Sequence, residues 1–185
     1  MLFQNKYRIE SARLNNWDYS SNGYYYITIC TYNREWLFGN IADGKMQLSA
    51  IGEIVLQGWN DSFAMRKELF CDEFIIMPNH IHGIVIIKKI DNTEMHNCDN
   101  METHSRASLR AKSISSFVAG FKSAMTKRIN EFRQIPGIPV WQNRFYDHII
   151  RNEESLYQTR EYVVNNPMNW ESDEINQSND IVKNI

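Results

Sequence analysis

Short runs of apolar, aromatic and β-branched residues, separated by turn residues, predict β-strands along the chain. Residues 23–32 (GYYYITICTY) are dense in Tyr, Ile and Thr, which is strand composition. A short hairpin follows, with an Asp-Gly pair at 43–44 in its turn. The apolar runs 69–77 and 81–87 predict two further strands, because a Pro-Asn pair at 78–79 separates them.

Apolar residues at spacings of three and four predict three helices. The first covers 49–66 with Ser49 as its N-cap, the second covers 108–133, and the third covers 153–165. A short extended piece is predicted within 136–150. This order of elements predicts an α+β fold, in which helices pack on an antiparallel β-sheet of the ferredoxin-like type.

Three polar stretches set the predicted domain organisation. Residues 1–22 are predicted to form a mobile N-terminal arm, and 171–185 a polar C-terminal tail that frays. Residues 88–107 show no apolar period and are predicted to be a flexible insert. A single domain over 23–170 remains.

The composition of the 185 residues is that of an ordinary globular protein, with 43% hydrophobic and 23% charged residues. A formal net charge of −2 argues against a uniformly basic nucleic-acid-binding protein but allows a local basic patch. The three cysteines show no CxxC spacing, which is typical of a reducing cytoplasm. No segment has the pattern of a signal peptide or of a membrane span, so we expect a soluble cytoplasmic protein.

A His-Ile-His triplet next to the strand predicted at 81–87 is the sharpest local motif. Side chains at positions i and i+2 of a strand point to the same face, so His80 and His82 would lie side by side while Ile81 points into the core. Two imidazoles on one rigid face suit a metal site, but pairs of structural histidines have the same spacing. The spacing alone leaves both interpretations open.

A tyrosine and an asparagine share one face near the end of the third predicted helix. Tyr162 and Asn166 are four residues apart, so a phenol would lie beside an amide whose oxygen can coordinate a hard cation. The pair could be a nucleophile beside a metal ligand, or a half-buried Tyr beside a helix-capping Asn. Pro167 also disfavours helical backbone angles at Asn166.

Basic residues lie mostly outside the apolar stripe of the predicted helix 108–133 and recur further along the chain. Lys and Arg side chains bind nucleic-acid phosphates, although a solvated helix face has the same composition. The residues that we predict to contact nucleic acid are Arg106, Arg110, Lys112, Lys122, Lys127, Arg128, Arg144 and Arg151.

Five segments in order resemble the REP-associated tyrosine transposases, which are relatives of small insertion-sequence transposases among the HUH single-strand endonucleases. These segments are 23–39, 72–83, 115–124, 141–153 and 162–167. Each is weakly specific by itself, whereas the five in this order are much more specific. The resemblance spans roughly residues 17–170, which is nearly the whole chain.

The resemblance implies the residues of an active site. His80 and His82 would be the two histidines of the HUH motif and would bind a divalent metal ion. Tyr162 would be the single catalytic tyrosine. Asn166 would be the third metal ligand, at a place where the better-studied insertion-sequence relatives carry the longer Gln.

The resemblance also implies a reaction. Single-stranded DNA would be nicked and rejoined through a 5′-phosphotyrosine intermediate, with Mg²⁺ or Mn²⁺ and without an organic cofactor. The substrate would be a palindromic, REP-like hairpin, and the protein would be a monomer in preference to a homodimer. Tyr146 and Tyr157 are rival nucleophiles, but neither has Asn or Gln four residues later. The alternative function is a domesticated, catalytically silent module that binds such hairpins.

Overall fold

The structure is a computed structural model that describes residues 2–3, 6–7, 17–89 and 112–177. Most of the predicted arm, nearly all of the predicted insert and the end of the predicted tail lie outside the described residues. Within the described ranges, no helix is both long enough and apolar enough to cross a membrane.

Strands and helices alternate along the described residues. The strands are β1 (Leu2–Phe3), β2 (Lys6–Tyr7), β3 (Gly23–Cys30), β4 (Gly39–Ala42), β5 (Lys45–Leu48), β6 (Leu69–Met77), β7 (His80–Ile87) and β8 (Tyr146–Ile150). The helices are α1 (Ala50–Ala64), α2 (Ile114–Arg133), α3 (Glu153–Asn165) and the short α4 (Glu174–Gln177). One 3₁₀ turn covers Tyr32–Arg34, and a longer 3₁₀ segment, Asn166–Ser172, follows α3 directly.

Four of the strands form an antiparallel sheet with the order β6-β7-β3-β8. In the pairing of β3 with β7, Cys30 lies opposite His80 and Thr28 lies opposite His82. The strands β4 and β5 form a separate hairpin whose turn is the predicted Asp-Gly pair. The antiparallel sheet with helices packed on it confirms the predicted α+β, ferredoxin-like fold class.

One face of the sheet is buried against α1 and α2. Every second side chain of β3 is fully buried there, namely Tyr25, Ile27 and Ile29. Trp59 of α1 stacks on Phe74 with ring centroids 4.3 Å apart. Trp59 packs directly on Gly83. A Cβ at this position would lie only 2.8 Å from the indole ring. The opposite face of the sheet carries the two histidines of β7, and it is this face that α3 and the 3₁₀ segment cover.

Local hydrogen bonds explain where two of the helices begin. The Ser49 hydroxyl accepts from the backbone N–H of Gly52, which confirms the predicted N-cap of α1. The second helix begins at Ile114 and not at 108, because Ser113 and Ser116 form a capping box at that point.

Two further boundaries differ from the prediction, and both concern the histidine face. The strand predicted at 81–87 begins at His80, so both histidines belong to one strand. The chain after Trp170 continues as 3₁₀ structure to Ser172 and then as α4, although the sequence there has no apolar period. Side-chain hydrogen bonds replace apolar packing in this segment, since Asp173 Oδ1 accepts from the backbone N–H of Ile175 at 2.6 Å.

Candidate active site

His80 and His82 lie side by side at the start of β7, as their spacing predicts. Their Nε2 atoms are 2.9 Å apart, and their ring centroids are 4.4 Å apart. Both side chains are buried: Tyr26 stacks on His82 with centroids 5.5 Å apart, Tyr162 meets His82 edge to face at 5.3 Å, and the Trp170 ring packs against His80 at 5.9 Å. The motif therefore forms an enclosed pair of imidazoles.

Hydrogen bonds on the far side of each ring orient the two imidazoles. His80 Nδ1 lies 2.8 Å from Asn79 Oδ1, and an amide oxygen only accepts, so Nδ1 carries the proton and Nε2 carries the lone pair. The Asn79 amide is oriented in turn by its Nδ2, which donates to a backbone carbonyl at 3.3 Å. His82 Nδ1 lies 2.7 Å from the Tyr26 hydroxyl and 2.9 Å from the Thr28 hydroxyl.

Burial keeps both imidazoles neutral near pH 7. Desolvation lowers the pKa of His82 to about 3. Desolvation, followed by the charges of His82 and Arg34, lowers the pKa of His80 well below its usual value. Neutral imidazole nitrogens are the form that binds metal ions, and one cation can bind two such nitrogens that face each other.

Two oxygen donors lie next to the imidazole pair. Asn166 is buried, and its Oδ1 has no hydrogen-bond partner among the described residues, which is uncommon for a buried amide oxygen. Its Nδ2 donates to Asp173 Oδ2 at 3.2 Å. A carboxylate oxygen of Asp173 and a ring nitrogen of each histidine lie within 4.8 Å of one another.

This donor set fits a divalent cation. Imidazole nitrogens bind Zn²⁺ at about 2.0–2.1 Å, so two nitrogens that share an ion must lie within about 4.2 Å of each other. The Nε2 atoms of His80 and His82 are 2.9 Å apart and meet this condition. Imidazoles suit Zn²⁺, Cu²⁺, Fe²⁺ or Ni²⁺, whereas amide and carboxylate oxygens suit Mg²⁺ or Mn²⁺. The sequence predicts every member of the set except Asp173, which lies in a segment without a motif.

Tyr162 lies on α3 at the edge of the histidine pair. Its ring meets that of His82 at 64°, and 47% of the residue is exposed. Asn166 follows one helical turn later and keeps helical angles (φ −55°, ψ −41°) against the usual preference of a residue before proline. The structure thus brings Tyr162 and Asn166 to the histidine pair, with a phenol that a substrate can reach beside the buried imidazoles.

Tyr26 of β3 links Tyr162 to the histidine pair, although the sequence does not single it out. Its hydroxyl lies 2.7 Å from His82 Nδ1 and also interacts with the Tyr162 hydroxyl through a hydrogen bond. Burial raises the pKa of the Tyr26 phenol, and the neighbouring Tyr162 raises it further, so Tyr26 stays protonated at neutral pH. No local spacing reveals this residue, because 56 positions separate it from His82.

An ion pair at the sheet edge holds α3 in place. Arg160 donates from Nε and Nη2 to the two carboxylate oxygens of Asp72, each at 2.7 Å. Asp72 lies at a register shift between Cys71 and Phe74 in the edge strand β6, where a bulge redirects a side chain. Val163 is the one residue of α3 that is buried, so this two-point contact matters for the orientation of the helix.

The residues predicted to contact nucleic acid are scattered, and several have partners within the fold. Arg106 and Arg110 lie outside the described residues. Lys122 donates to the carbonyl oxygens of Gln142 and Arg144 at 2.8 and 3.0 Å, and burial lowers its pKa to about 8. Arg128 pairs with Asp61 at 2.9 Å, Lys127 with Glu131 at 3.9 Å, and the Arg151 guanidinium lies over the Trp17 ring. The other two described residues of this set are Lys112 and Arg144, and Arg144 also interacts with another group of the protein.

Comparison with solved structures identifies the fold as transposase-like. A structure of the REP-associated tyrosine transposase bound to a REP hairpin superposes with a TM-score of 0.54 at 16% identity, covering 89% of this chain and 73% of that one. A putative transposase from Deinococcus radiodurans has a TM-score of only 0.40 at 15% identity, covering 85% and 97% of the two chains.

A relative in sequence has no described function. An uncharacterised protein of Haemophilus influenzae is 39% identical over 171 residues, which cover 89% of this chain and 91% of that protein. The chain belongs to the same family as this Haemophilus protein. A scan against protein-family models finds no match.

Proposed function

We propose that the protein is a metal-dependent transposase of the REP-associated type, which nicks and rejoins single-stranded DNA through Tyr162. The observation that carries this proposal is the enclosed pair His80 and His82, with Nε2 atoms 2.9 Å apart, beneath the ring of a half-exposed tyrosine. The similarity of the fold to a transposase bound to a REP hairpin supports the same class of reaction.

The residues of the site divide into metal-binding groups and a nucleophile. His80, His82, Asn166 and Asp173 would hold Mg²⁺ or Mn²⁺, which would polarise a phosphate ester and offset its developing negative charge. Burial keeps the two imidazoles uncharged, so neither ring has to release a proton to solvent before it binds a cation. Tyr162 supplies the oxygen that reacts.

The reaction exchanges one ester bond for another. Tyr162 Oη forms a bond to the phosphorus while the bond from phosphorus to the 3′ oxygen breaks, which gives a 5′-phosphotyrosine and a 3′-hydroxyl. The phenol proton passes to solvent, because about half of Tyr162 is exposed, and the departing oxygen takes a proton from water. A hydrogen bond from Tyr26 stabilises the charge that builds up on Oη, since Tyr26 stays protonated. Reversal of these steps rejoins DNA without ATP.

The substrate that we propose is a single-stranded, palindromic hairpin of the REP type. The fold similarity to the hairpin-bound transposase supports it, and basic residues such as Arg144 and Arg151 would contact its phosphates. Tyr162 contacts His82 within one chain, and Asn166 donates to Asp173 beside the histidines, which supports a monomer and a single catalytic domain over 23–170. Location in the cytoplasm, where DNA is accessible in bacteria, is part of the proposal.

The test is an adduct assay with labelled hairpins. The protein is incubated with single-stranded hairpins, with and without Mn²⁺, and run on a denaturing gel that retains covalent protein–DNA products. We expect an adduct that requires the metal ion. Hairpin binding without any adduct would contradict the enzyme and favour the catalytically silent binding module.

Replacement of Tyr26 by Phe is expected to slow adduct formation by roughly ten- to a hundredfold while leaving the affinity for hairpin DNA unchanged. The variant loses a hydrogen bond to a developing phenolate, which is worth about 1.5–3 kcal/mol. His82 keeps Thr28 as a partner for Nδ1. Single-turnover rates measure the effect, and Tyr157→Phe is the matched control because the Tyr157 hydroxyl pairs with Glu161 on the surface of α3. An unchanged rate in Tyr26→Phe would remove this residue from the reaction.

Reversal of either charge in the Asp72–Arg160 pair is expected to lower kcat by roughly ten- to a hundredfold with little change in KM, because misplacement of Tyr162 by about 1 Å is costly. The variants are Asp72→Arg and Arg160→Asp. The double variant restores the pair in reverse, and we expect it to recover much of the lost rate. Equal rates in the single and double variants would show that the pair does not orient α3.

A further inference from the structure

A cleft of about 420 Å³ opens beside Tyr162. Tyr146 and His148 of β8 form one wall, and a stripe of α3 that includes Gln158 and Tyr162 forms the other. Tyr26 lies between the two walls and contacts the rings of Tyr146 and Tyr162, each with centroids 6.2 Å apart. The volume is within the usual range for clefts that bind small ligands or parts of larger ones.

The aromatic rings of this cleft have faces that a planar ligand can reach. Tyr146 is 51% exposed and Tyr162 is 47% exposed. Both meet Tyr26 edge to face, at 68° and 82°, and Tyr146 stacks on no other aromatic ring among the described residues. Exposed tyrosines with open faces are the usual platforms on which unpaired bases stack in proteins that bind single strands.

The charges around the cleft also suit a nucleotide. None of the side chains that line it is acidic, and the nearby Glu154 carboxylate accepts a hydrogen bond from the Gln158 amide at 2.7 Å, which leaves the Gln158 amide oxygen for a ligand. A second cleft of about 350 Å³ shares His148 and Ser155 with the first and leads to Arg151. Its acidic residue, Asp147, is buried. A DNA strand that leaves Tyr162 through the first cleft would therefore reach the Arg151 guanidinium in the second cleft.

We propose that this cleft binds the unpaired nucleobase next to the scissile phosphate, stacked on Tyr146. His148 and Gln158 contact the polar edge of that base, because they lie on opposite walls of the same cleft. The base is thereby fixed beside the nucleophile, so the cleft orients the phosphodiester for attack by Tyr162. This inference rests on the proposed function and extends it to the part of the substrate that reaches the nucleophile.

The test measures binding without chemistry. In a Tyr162→Phe background, a pool of hairpins with randomised unpaired arms is enriched for binding, and the selected hairpin is the probe. Each unpaired nucleotide of the probe is replaced in turn by an abasic site, and affinities are measured by fluorescence anisotropy for the background protein and for its Tyr146→Ala and Tyr146→Trp derivatives. Tyr157→Ala is the matched control, because Tyr157 is 59% exposed on α3 but does not line the cleft.

We expect one position at which base removal weakens binding by roughly five- to a hundred-and-fifty-fold, which is the usual effect of losing one stacked base. Tyr146→Ala should cause a similar loss on the intact probe and no additional loss on the abasic one. Tyr146→Trp should retain the sensitivity of binding to base removal, which would show that β8 still folds. Tyr157→Ala should leave the affinity for the probe unchanged.

Three results would overturn the inference. The loss of affinity from base removal and the loss from Tyr146→Ala could multiply at every position of the probe. That result would show that no base stacks on Tyr146. A loss in Tyr157→Ala equal to that in Tyr146→Ala would show a non-specific effect. Failure to enrich any hairpin would contradict the DNA substrate together with the cleft. The proposed reaction is judged separately, because an adduct with the wild-type protein can form whether or not the cleft binds a base.

Discussion

Replacement of Tyr162 by Phe is expected to abolish the covalent adduct, by at least about a thousandfold, while hairpin binding stays within about twofold of the wild type. The change removes one oxygen atom, which is the atom that would form the bond to phosphorus. The ring remains and can still pack against His82 and Tyr26, where the centroids are now 5.3 and 6.2 Å apart. Adducts are counted on denaturing gels, and binding is measured by anisotropy.

Matched tyrosine variants distinguish loss of the nucleophile from a general effect of removing a phenol. Tyr157→Phe changes a hydroxyl that donates to Glu161 at 2.8 Å on the surface of α3, and adduct formation should persist in that variant. An adduct that survives in Tyr162→Phe would contradict our assignment and direct attention to the other tyrosines of the region.

Replacement of His80 or His82 by Ala is expected to weaken Mn²⁺ binding by at least about a hundredfold and to reduce adduct formation in parallel. Changes to groups that only orient metal ligands already cost about 10–100-fold, and here a ligand itself is removed. Metal affinity is measured by calorimetry with the protein alone, so the readout does not depend on catalysis. The loss should persist in the absence of DNA.

A stability measurement must accompany these histidine variants. The change at His80 leaves the buried Asn79 Oδ1 without its 2.8 Å partner, which costs about 1–3 kcal/mol of folding free energy. Thermal unfolding checks that each variant is folded at the temperature of the assay. His148→Ala is the control for metal affinity, because His148 lies on β8 outside the imidazole pair. Unchanged Mn²⁺ affinity in a folded His82→Ala variant would exclude the pair as a metal site.

Local patterns predict the elements and show which neighbouring candidate residues share a face, because both depend on short spacings. The i, i+2 spacing predicts that His80 and His82 share one face of β7 while Ile81 points into the core. The i, i+4 spacing likewise places Tyr162 and Asn166 on one side of α3. In each case one strand or one helix determines the geometry.

Contacts between distant segments could not be predicted from one sequence. The hydroxyl of Tyr26 reaches His82 only because of the register in which β3 and β7 pair. Arg160 forms its hydrogen bonds with Asp72, which lies 88 positions earlier in the sequence, at a bulge that no residue pattern predicts. Asp173 lies in a polar segment without periodicity, and its place beside the histidines depends on the 3₁₀ segment that follows α3.

The most direct test of the central claim is to locate the covalent bond by mass spectrometry. Trypsin separates the three tyrosines of this region, because Arg144, Arg151 and Arg160 precede each of them in turn. The expected peptides are 145–151 with Tyr146, 152–160 with Tyr157 and 161–183 with Tyr162. After incubation with Mn²⁺ and a cleavable hairpin, and digestion of the attached DNA with a nuclease, we predict that the remaining nucleotide adds its mass to the 161–183 peptide. The same mass on either of the other two peptides would contradict Tyr162 as the nucleophile.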